Sequence, residues 1–381
     1  RLLRSGLSRQ EIQTHAGKLA DVLFRNIPSG VGSRRKDLKL TQKELKRVLI
    51  CGLDWTLENG YGTPEDQAHI EADGCLPNAD PNKISDRALE RGRAQLGTLG
   101  SGNHFLEVGF VEEVFDSEAA SVMGLEKDQA TVLIHTGSRG LGHQVCDDYL
   151  SVMLNASKRY GIALPDRQLC CAPINSKEGK NYLGAMAGAA NFAFVNRQMI
   201  MHWTRESFAE IFPQRASDLE MEVVYDVCHN IAKIETHKVE GKDVTLCVHR
   251  KGATRAFPPG HPDIPEAYRS IGQPVLVPGD MGRYSFVLVG TQAGYEETFG
   301  SACHGAGRVM SRHQAKKTAK GRAIARELED KGIIVRGASV RTLVEEISEA
   351  YKDVANVVDV LHNAGIGKKV VKLAPLAVIK G

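Results

Sequence analysis

Apolar residues recur every three to four positions over several long stretches of the chain, a pattern that predicts amphipathic helices. The first helix is predicted over about 8–26. There Ser8 and Glu11 form a Ser-x-x-Glu capping box, and Pro28 follows the helix end. Further helices are predicted near 41–59, 85–96, 139–160, 180–212, 312–331 and 341–364.

Short runs rich in β-branched residues predict the strands. These runs are 131–135, 221–227, 244–249, 274–279, 285–290, 332–338 and the tail 370–381. Helices and strands are interspersed without a regular βαβ order, which favours an α+β fold over a Rossmann sheet. The prolines of 259–265 indicate a long irregular loop rather than a boundary. We therefore predict one compact domain over 1–381, with mixed or antiparallel sheets flanked by helices.

Composition adds limits to this picture. Of 381 residues, 25% are charged and 42% are hydrophobic, with a formal net charge of +3, so any nucleic-acid contact must come from a local basic patch. No apolar run approaches the roughly 18–20 residues that a membrane span needs. The opening "RLLRSGLSRQ" has neither a signal core nor a methionine and is expected to be a cut into a longer chain. Eight cysteines without CxxC spacing favour free thiols in a reducing compartment.

Four of the 13 histidines lie beside glycine or asparagine at the ends of predicted elements. They are His104, His135, His229 and His304. A single histidine at a strand end is usually structural, but four in such contexts favour a shared site. If they bind metal, imidazole ligands favour Zn, Fe or Cu, and added oxygen ligands admit Mn. The residues alone predict a transition metal without choosing one.

Four short glycine-rich loops indicate backbone suited to a nucleotide phosphate. They are "TLGSGNH" (98–104), "HTGSRGLG" (135–142), "PGDMG" (278–282) and "HGAG" (304–307). None is a Walker A loop or a GxGxxG, so no P-loop or dinucleotide enzyme is predicted. A helix is expected to start just beyond "HGAG" and to add its positive dipole. The alternative is a turn with an incidental histidine.

The function of two further features, a candidate pair of base-binding residues and two basic stretches, depends on where they lie in the folded protein. Glu107 has the chemistry to accept guanine N1–H and N2–H₂, and Lys380 to donate to O6, although most such residues are solvated. Basic stretches at 249–257 and 311–326 either form solvated faces or attract a polyanion such as RNA.

Seven ordered segments give the chain a specific resemblance to a known family. They are "LGTLGSGNHFLEV", "HTGSRGLGHQV", "YDVCHNIAK", "HRKGATRAFPPG", "GQPVLVPGDMG", "ETFGSACHGAGR" and "LAPLAVIKG". Together they resemble the RtcB family of RNA-splicing ligases over almost the whole chain. The sequence of these segments is more similar to the eukaryotic and archaeal members of that family.

The resemblance implies a GTP- and Mn-dependent RNA ligase. It would join 2′,3′-cyclic phosphate or 3′-phosphate ends to 5′-hydroxyl ends through a guanylylated histidine, His304. The implied metal ligands are His104, His135 and His229, around two Mn²⁺ ions in the family. The implied nucleotide-binding residues, which surround a central cleft, are Asn103, His104, Phe105, Leu106, Glu107, His229, Asn230, Pro278, Gly279, Asp280, Met281, Ser285, His304, Gly305, Ala306, Gly307 and Lys380.

The resemblance also implies partners and a location. RNA, with tRNA halves foremost, is the expected substrate, and archease and a DEAD-box helicase complex are expected partners. The protein would act as a monomer or within a multi-subunit complex. It would be intracellular, in the nucleus or the cytoplasm if the organism is a eukaryote. No association with a membrane is expected.

Two departures from the family qualify these expectations. The family's Asp-x-x-Cys-Gly segment, with an Asp and a metal-bridging Cys, falls directly before the position of Arg1. These 381 residues alone are therefore expected to bind at most one Mn²⁺ tightly and to guanylylate poorly or not at all. In "PGDMGRYS", Asp280, Arg283 and Tyr284 stand where smaller residues are expected, and an extra carboxylate there would weaken phosphate binding or face solvent.

Two other functions remain open from the sequence. One is a non-catalytic RNA-binding or scaffold subunit, which is favoured if the family's Asp and Cys ligands are lost. The other is a metal-dependent phosphodiesterase that acts only on cyclic phosphate ends.

Overall fold

Strand β12 (Gly367–Lys380) lies at the centre of the main sheet in the computed structural model, which describes residues 1–215 and 218–381. One edge of β12 pairs antiparallel with β2 (Phe105–Val114). Its opposite edge is shared by antiparallel β9 (Ser285–Gly290) in the first half and parallel β11 (Ile334–Gly337) in the second. Pro375, which has no N–H to donate, lies between these two partners and next to a shift of register.

The main sheet continues on both sides of β12 by antiparallel pairing. Its order is β4 (Glu222–Tyr225), β1 (Leu2–Ser8), β3 (Gln129–His135), β2, β12, β9 and β8 (Pro274–Val277). Two smaller antiparallel sheets lie outside it. They are β5 (Asn230–Val239) with β6 (Lys242–Lys251), and β7 (Ala253–Arg255) with β10 (Ser301–Cys303).

The helices cover both faces of the main sheet. Within the described residues they are α1 (Arg9–Asn26), α2 (Gln42–Cys51), α3 (Leu53–Glu58), α4 (Pro64–Ala68), α5 (Asp86–Gly92), α6 (Ser117–Val122), α7 (Arg139–Arg159), α8 (Lys177–Ile211), α9 (Gln292–Glu297), α10 (Arg312–Thr318), α11 (Ile324–Glu329), α12 (Val340–Glu345) and α13 (Val354–Asn363).

Side chains along β12 contribute to two hydrophobic cores, and register shifts interrupt their strict alternation, so that the neighbours Leu376 and Ala377 face the same core. Leu376 and Ile379 face a core built with α1, α2 and α8. Leu373 and Val378 face the other core, which receives residues from α10, α11 and α12. The 35-residue helix α8 is buried along much of its length and extends roughly 50 Å at 1.5 Å per residue. The predicted α+β architecture with antiparallel and mixed sheets is confirmed.

Three predicted helices were wrong as continuous elements. The helix at 41–59 is interrupted at Gly52, the residue type that least favours a helix interior apart from proline. The helix at 312–331 divides into α10 and α11 around the segment 319–323. The helix at 341–364 divides into α12 and α13, and Glu346, the first residue after α12, bonds to Arg308 and Tyr351.

The strand predictions missed five elements, of which β7 and β10 are only three residues long. Strands β1, β2 and β5 were not predicted, because each mixes charged or small residues into its apolar alternation, as in "FLEVGFVEEV". The predicted capping box of α1 is present, since the Ser8 hydroxyl accepts from Glu11 N–H while the Glu11 carboxylate accepts from Ser8 N–H. Among the described residues, no helix combines the length and apolar character that crossing a membrane requires.

Candidate active site

Three of the four predicted histidines converge from separate elements. His135 ends β3, His229 directly precedes β5, and His304 directly follows β10. One ring nitrogen from each lies within 4.8 Å of the others. The rings of His229 and His304 stack, with centroids 3.8 Å apart and planes 18° apart. The His135 ring stands nearly perpendicular to both, with centroid distances of 5.1 Å.

His104 lies one ring further out. Its ring centroid is 6.0 Å from that of His135, and it falls outside the group of nitrogens within 4.8 Å. Its Nδ1 is the acceptor for the Gly100 N–H at 3.2 Å and lies 2.9 Å from the Thr136 hydroxyl. The structure therefore gathers His135, His229 and His304, whereas the sequence predicted His104, His135 and His229 as ligands.

The imidazoles of this cluster are held neutral by their surroundings. Burial is the main cause that lowers the pKa of His104 and of His229 to about 3. Burial also lowers the pKa of His135 and of His304 well below the usual range. Each of the four histidine residues keeps some exposed surface, but the burial of its ring by neighbouring atoms favours the neutral form. Neutral imidazole is the form that binds metals and attacks electrophiles.

The His304 ring has no hydrogen-bond partner among the described residues. Both Nδ1 and Nε2 are buried and neither has a partner at normal hydrogen-bond geometry, although the Leu276 backbone is close enough to oppose the lowering of the ring's pKa. Buried polar atoms normally have a partner, so two orphaned nitrogens on one ring call for a ligand outside the protein. Three neutral imidazoles with nitrogens this close fit a divalent transition-metal ion. His135 and His229 would hold such an ion, together with one nitrogen of His304 or with His304 left free to react.

The backbone around His304 is held open by glycine. Gly305 and Gly307 adopt φ values of +140° and +77°, which side chains rarely tolerate. The His304 N–H donates to the Gly252 carbonyl at 3.1 Å, which ties this loop to the segment after β6. The predicted start of the next helix is confirmed, since α10 begins at Arg312, after the segment 308–311.

A cavity of about 490 Å³ extends from His304 to the end of β12. Its size lies within the range of small-molecule sites. The predicted nucleotide-binding residues that line it are Asn103, Phe105, Glu107, Asn230, Pro278, Gly279, Asp280, Met281, His304, Gly305, Ala306, Gly307 and Lys380.

Four predicted members of the nucleotide pocket do not line it. Leu106 points to the opposite face of β2 and packs into the α1–α8 core, as strand alternation requires. Ser285 is buried behind the loop, where its hydroxyl accepts from Gly279 N–H at 3.3 Å. His229 lies against the His304 ring, and His104 lies beside the cavity wall.

Glu107 and Lys380 face the same cavity from neighbouring strands. Lys380 pairs with Phe105 in the β2–β12 register, and Glu107 pairs with Val378. Burial raises the pKa of Glu107 to about 8, with help from Asp280 and against the opposing effect of Lys380. Burial lowers the pKa of Lys380 to about 8. A buried carboxyl and a buried amine at one end of the cavity are suited to the hydrogen-bonding edge of a base.

Sequence reasoning missed several residues of the cavity wall. Arg308 donates to the Tyr351 hydroxyl at 2.8 Å and to Glu346 at 3.3 Å, and all three side chains line the cavity. Lys251 and Arg312 also line it. Arg308 is the last residue of the segment "HGAGR" (304–308), and its position next to the glycine-rich loop could have predicted its place in the cavity wall. Tyr351 and Glu346 lie in a stretch without a motif.

The unexpected Asp280 has a local explanation. Its carboxylate accepts from the Ser348 hydroxyl and from Gly282 N–H at 3.0 Å, and it pairs with Arg283 at 3.3 Å. The side chain is 1% exposed, so of the two alternatives, weakened phosphate binding and a solvent-facing carboxylate, the second was wrong. Asp280 fixes the loop that forms one cavity wall. Tyr284 packs against Lys372, whose Nζ lies 3.5 Å from the ring centroid.

The fold and this site define a metal-dependent enzyme with a neutral histidine between a metal donor set and a nucleotide-sized cavity. The chain matches the family model described as "tRNA-splicing ligase RtcB" over residues 1–381, and it belongs to that family. Members of this family are RNA ligases, and the chain is therefore an RNA ligase.

Relatives from several organisms show the same similarity, and each is called tRNA-splicing ligase RtcB. The protein of Archaeoglobus fulgidus is 55% identical over 381 residues, which is all of this chain and 79% of the relative. The protein of Thermococcus kodakarensis is 52% identical over the same span, again 79% of its length. The protein of Methanocaldococcus jannaschii is 54% identical, but the match covers 39% of it.

Proposed function

We propose that the chain ligates RNA with GTP and Mn²⁺, joining 2′,3′-cyclic phosphate or 3′-phosphate ends to 5′-hydroxyl ends through GMP attached to His304. One observation carries the proposal. His304 presents two buried nitrogens without partners at the point where the histidine cluster meets the 490 Å³ cavity. A neutral imidazole in that position is a nucleophile with room for a nucleotide in front of it.

The first step forms the covalent intermediate. Glu107 and Lys380 hold the guanine at the far end of the cavity, which places the α-phosphate near the histidine loop. A His304 ring nitrogen attacks the α-phosphorus, the bond to the β-phosphate oxygen breaks, and pyrophosphate leaves. When bound, the divalent metal supplies charge neutralisation for the triphosphate. The Gly305–Gly307 loop lines the cavity beside His304, where its main-chain amides would bind the transferred phosphate.

The later steps pass GMP to RNA and then release it. A 2′,3′-cyclic phosphate is first opened by water to a 3′-phosphate. That phosphate displaces His304 from GMP, and the 5′-hydroxyl oxygen then attacks the activated 3′-phosphorus and GMP leaves. Lys251 and Arg312, on the cavity wall, are placed to attract the RNA phosphates. The names of the relatives support tRNA halves as substrate.

A labelling experiment tests this proposal against two others. The chain is incubated with Mn²⁺ and GTP labelled at the α-phosphate, and the protein is separated by denaturing electrophoresis. A ligase of this kind retains label on the protein. A scaffold subunit, or a phosphodiesterase that acts only on cyclic ends, retains none. Because the 381 residues alone are expected to guanylylate poorly, the assay is repeated on a chain that also carries the family's Asp-x-x-Cys-Gly segment, and absence of label in both at saturating Mn²⁺ and GTP would refute the proposed covalent step.

Partners and location belong to the same proposal. By family resemblance, archease and a DEAD-box helicase complex are the proposed partners, and an intracellular site is proposed, in the nucleus or cytoplasm of a eukaryote. A pull-down with the chain as bait, compared with the His304→Ala variant, tests the partners without requiring turnover.

Replacing Lys380 by alanine should reduce the preference for GTP over ATP. Loss of a charged hydrogen bond to a base edge costs about 1.5–3 kcal/mol, or roughly 10- to 150-fold in affinity. Lys380 is 3% exposed and faces the cavity, so its loss acts directly on the base. Calorimetric titration with each nucleotide measures the ratio. Lys368→Ala, which removes an exposed lysine from the same strand, is the control. Equal loss of GTP and ATP affinity would contradict a role in base selection.

The GTP preference should also depend on pH. The pKa of Glu107 is raised to about 8, so below that pH it holds a proton and accepts guanine N1–H poorly. The pKa of Lys380 is lowered to about 8, so above that pH it loses the charge that favours O6. The ratio of GTP to ATP affinity should therefore rise from pH 6 towards pH 8 and fall beyond it. Glu107→Gln should remove the rising limb. A flat ratio between pH 6 and pH 9 would count against this base-reading pair.

A further inference from the structure

A buried ion pair joins the two strands of the β5–β6 hairpin outside the nucleotide cavity. The Arg250 guanidinium donates to both carboxylate oxygens of Glu235, at 2.7 and 2.8 Å. A ring nitrogen of His237 lies 3.0 Å from the same carboxylate. Each of the three side chains is at most 3% exposed. None of them lines the cavity, so none touches the proposed nucleotide directly.

The same guanidinium holds the segment that leads into the nucleophile. Arg250 Nε donates to the Ser301 hydroxyl at 2.9 Å, and Nη2 donates to the Phe299 carbonyl at 2.8 Å. Strand β10, which begins at Ser301, ends directly before His304. A single side chain of β6 therefore fixes where the segment carrying His304 begins.

Two residues beyond Arg250, the backbone connects both stacked histidines. The Gly252 N–H donates to the His229 carbonyl at 2.9 Å, and the Gly252 carbonyl accepts from the His304 N–H at 3.1 Å. The 3.8 Å stack of the two rings thus depends on the hairpin that Arg250 anchors. A rotation of this hairpin would move His229 and the segment before His304 by different amounts.

We propose that Arg250, held by Glu235, is a positioning residue that sets the distance between His304 and His229 for RNA ligation. The proposal rests on the proposed function in one respect, that His304 carries GMP. Metal and nucleophile geometry tolerate only a few tenths of an ångström. Removing groups that support metal ligands typically costs 10- to 100-fold in affinity or activity.

The test must separate positioning from stability. Removing Arg250 alone would leave the Glu235 charge buried and unpaired, which destabilises a fold severely. The double variant R250M/E235Q removes both charges, and its glutamine can still bond to His237. Replacing a buried ion pair by neutral groups of similar size is often nearly neutral for stability. The matched control is R205M/D66N, which removes another two-pronged arginine–carboxylate pair, one that touches none of the clustered histidines.

Three quantities are measured for the wild type, R250M/E235Q and the control: the melting temperature, Mn²⁺ affinity by electron paramagnetic resonance, and the labelling rate with α-labelled GTP. We expect R250M/E235Q to stay folded, to bind Mn²⁺ about tenfold more weakly and to label 10- to 100-fold more slowly at saturating GTP. The GTP concentration for half-maximal rate should change by less than about twofold, because the guanine end of the cavity is untouched. The control should match the wild type in both functional measurements.

The outcomes distinguish this inference from the proposed function. If R250M/E235Q keeps wild-type Mn²⁺ affinity and labelling rate, or if the control loses both equally, Arg250 has no positioning role. If the wild type takes no label but R250M/E235Q still binds Mn²⁺ more weakly than the control, the guanylylation proposal fails and the positioning role stands.

Discussion

The His304→Ala variant is expected to fold normally and to acquire no covalent GMP. The wild-type ring makes no hydrogen bond to the described residues, so its removal leaves no partner unsatisfied. Within residues 1–215 and 218–381, no other histidine combines a place on the cavity wall with two orphaned nitrogens. The melting temperature tests whether the variant folds normally. Incubation with α-labelled GTP tests whether it acquires covalent GMP.

The chemistry of the adduct provides a second check on His304. A bond between imidazole nitrogen and phosphorus is a phosphoramidate, which is acid-labile and survives alkali. Wild-type label should therefore vanish after acid treatment and persist after alkali. His313→Ala, which removes an exposed histidine of α10, is the control and should label fully. Retained label in His304→Ala, or an acid-stable adduct in the wild type, would place the covalent bond elsewhere.

The second large effect is expected for His229→Ala. This change removes one of three clustered donors and the ring that stacks on His304 at 3.8 Å. Because groups that only support ligands already contribute 10- to 100-fold, loss of a donor should weaken Mn²⁺ binding and slow labelling by more than about 100-fold. Paramagnetic resonance and the labelling assay measure both. His202→Ala, on helix α8, is the comparison. Unchanged Mn²⁺ affinity in His229→Ala would exclude this residue as a ligand.

Part of the site could be predicted because its chemistry is local in the sequence. His304, Gly305 and Gly307 lie within four consecutive positions, and the open backbone they predict is present. A shared site for the four histidines was predicted from their sequence contexts, but which three rings would meet was not. His135 and His229 are 94 positions apart, and β3 and the segment before β5 meet only through the folded chain.

Two other residues of the site were predicted wrongly or not predicted, because their positions depend on tertiary structure. Leu106 was assigned to the pocket as part of the segment 103–107 that the family resemblance implies, but strand alternation turns it to the opposite core. Had β2 been predicted as a strand, the same alternation would have excluded it. Tyr351 joins the site through its bond to Glu346, the first residue after α12, which also bonds to Arg308. No local sequence pattern around residue 346 indicates that the helix ends there or that Glu346 bonds to Arg308 and Tyr351.

The central place of β12 has a consequence for how the protein is made. Its partner β2 leaves the ribosome more than 250 residues earlier and has no neighbour on that edge until 367–380 arrive. Such distant pairing slows folding, and an unpaired strand edge invites association with other chains. Any product that stops short of 367 lacks the middle of the sheet and Lys380 together. Incomplete translation products should therefore be substrates for chaperones and proteases, and unable to sequester GTP.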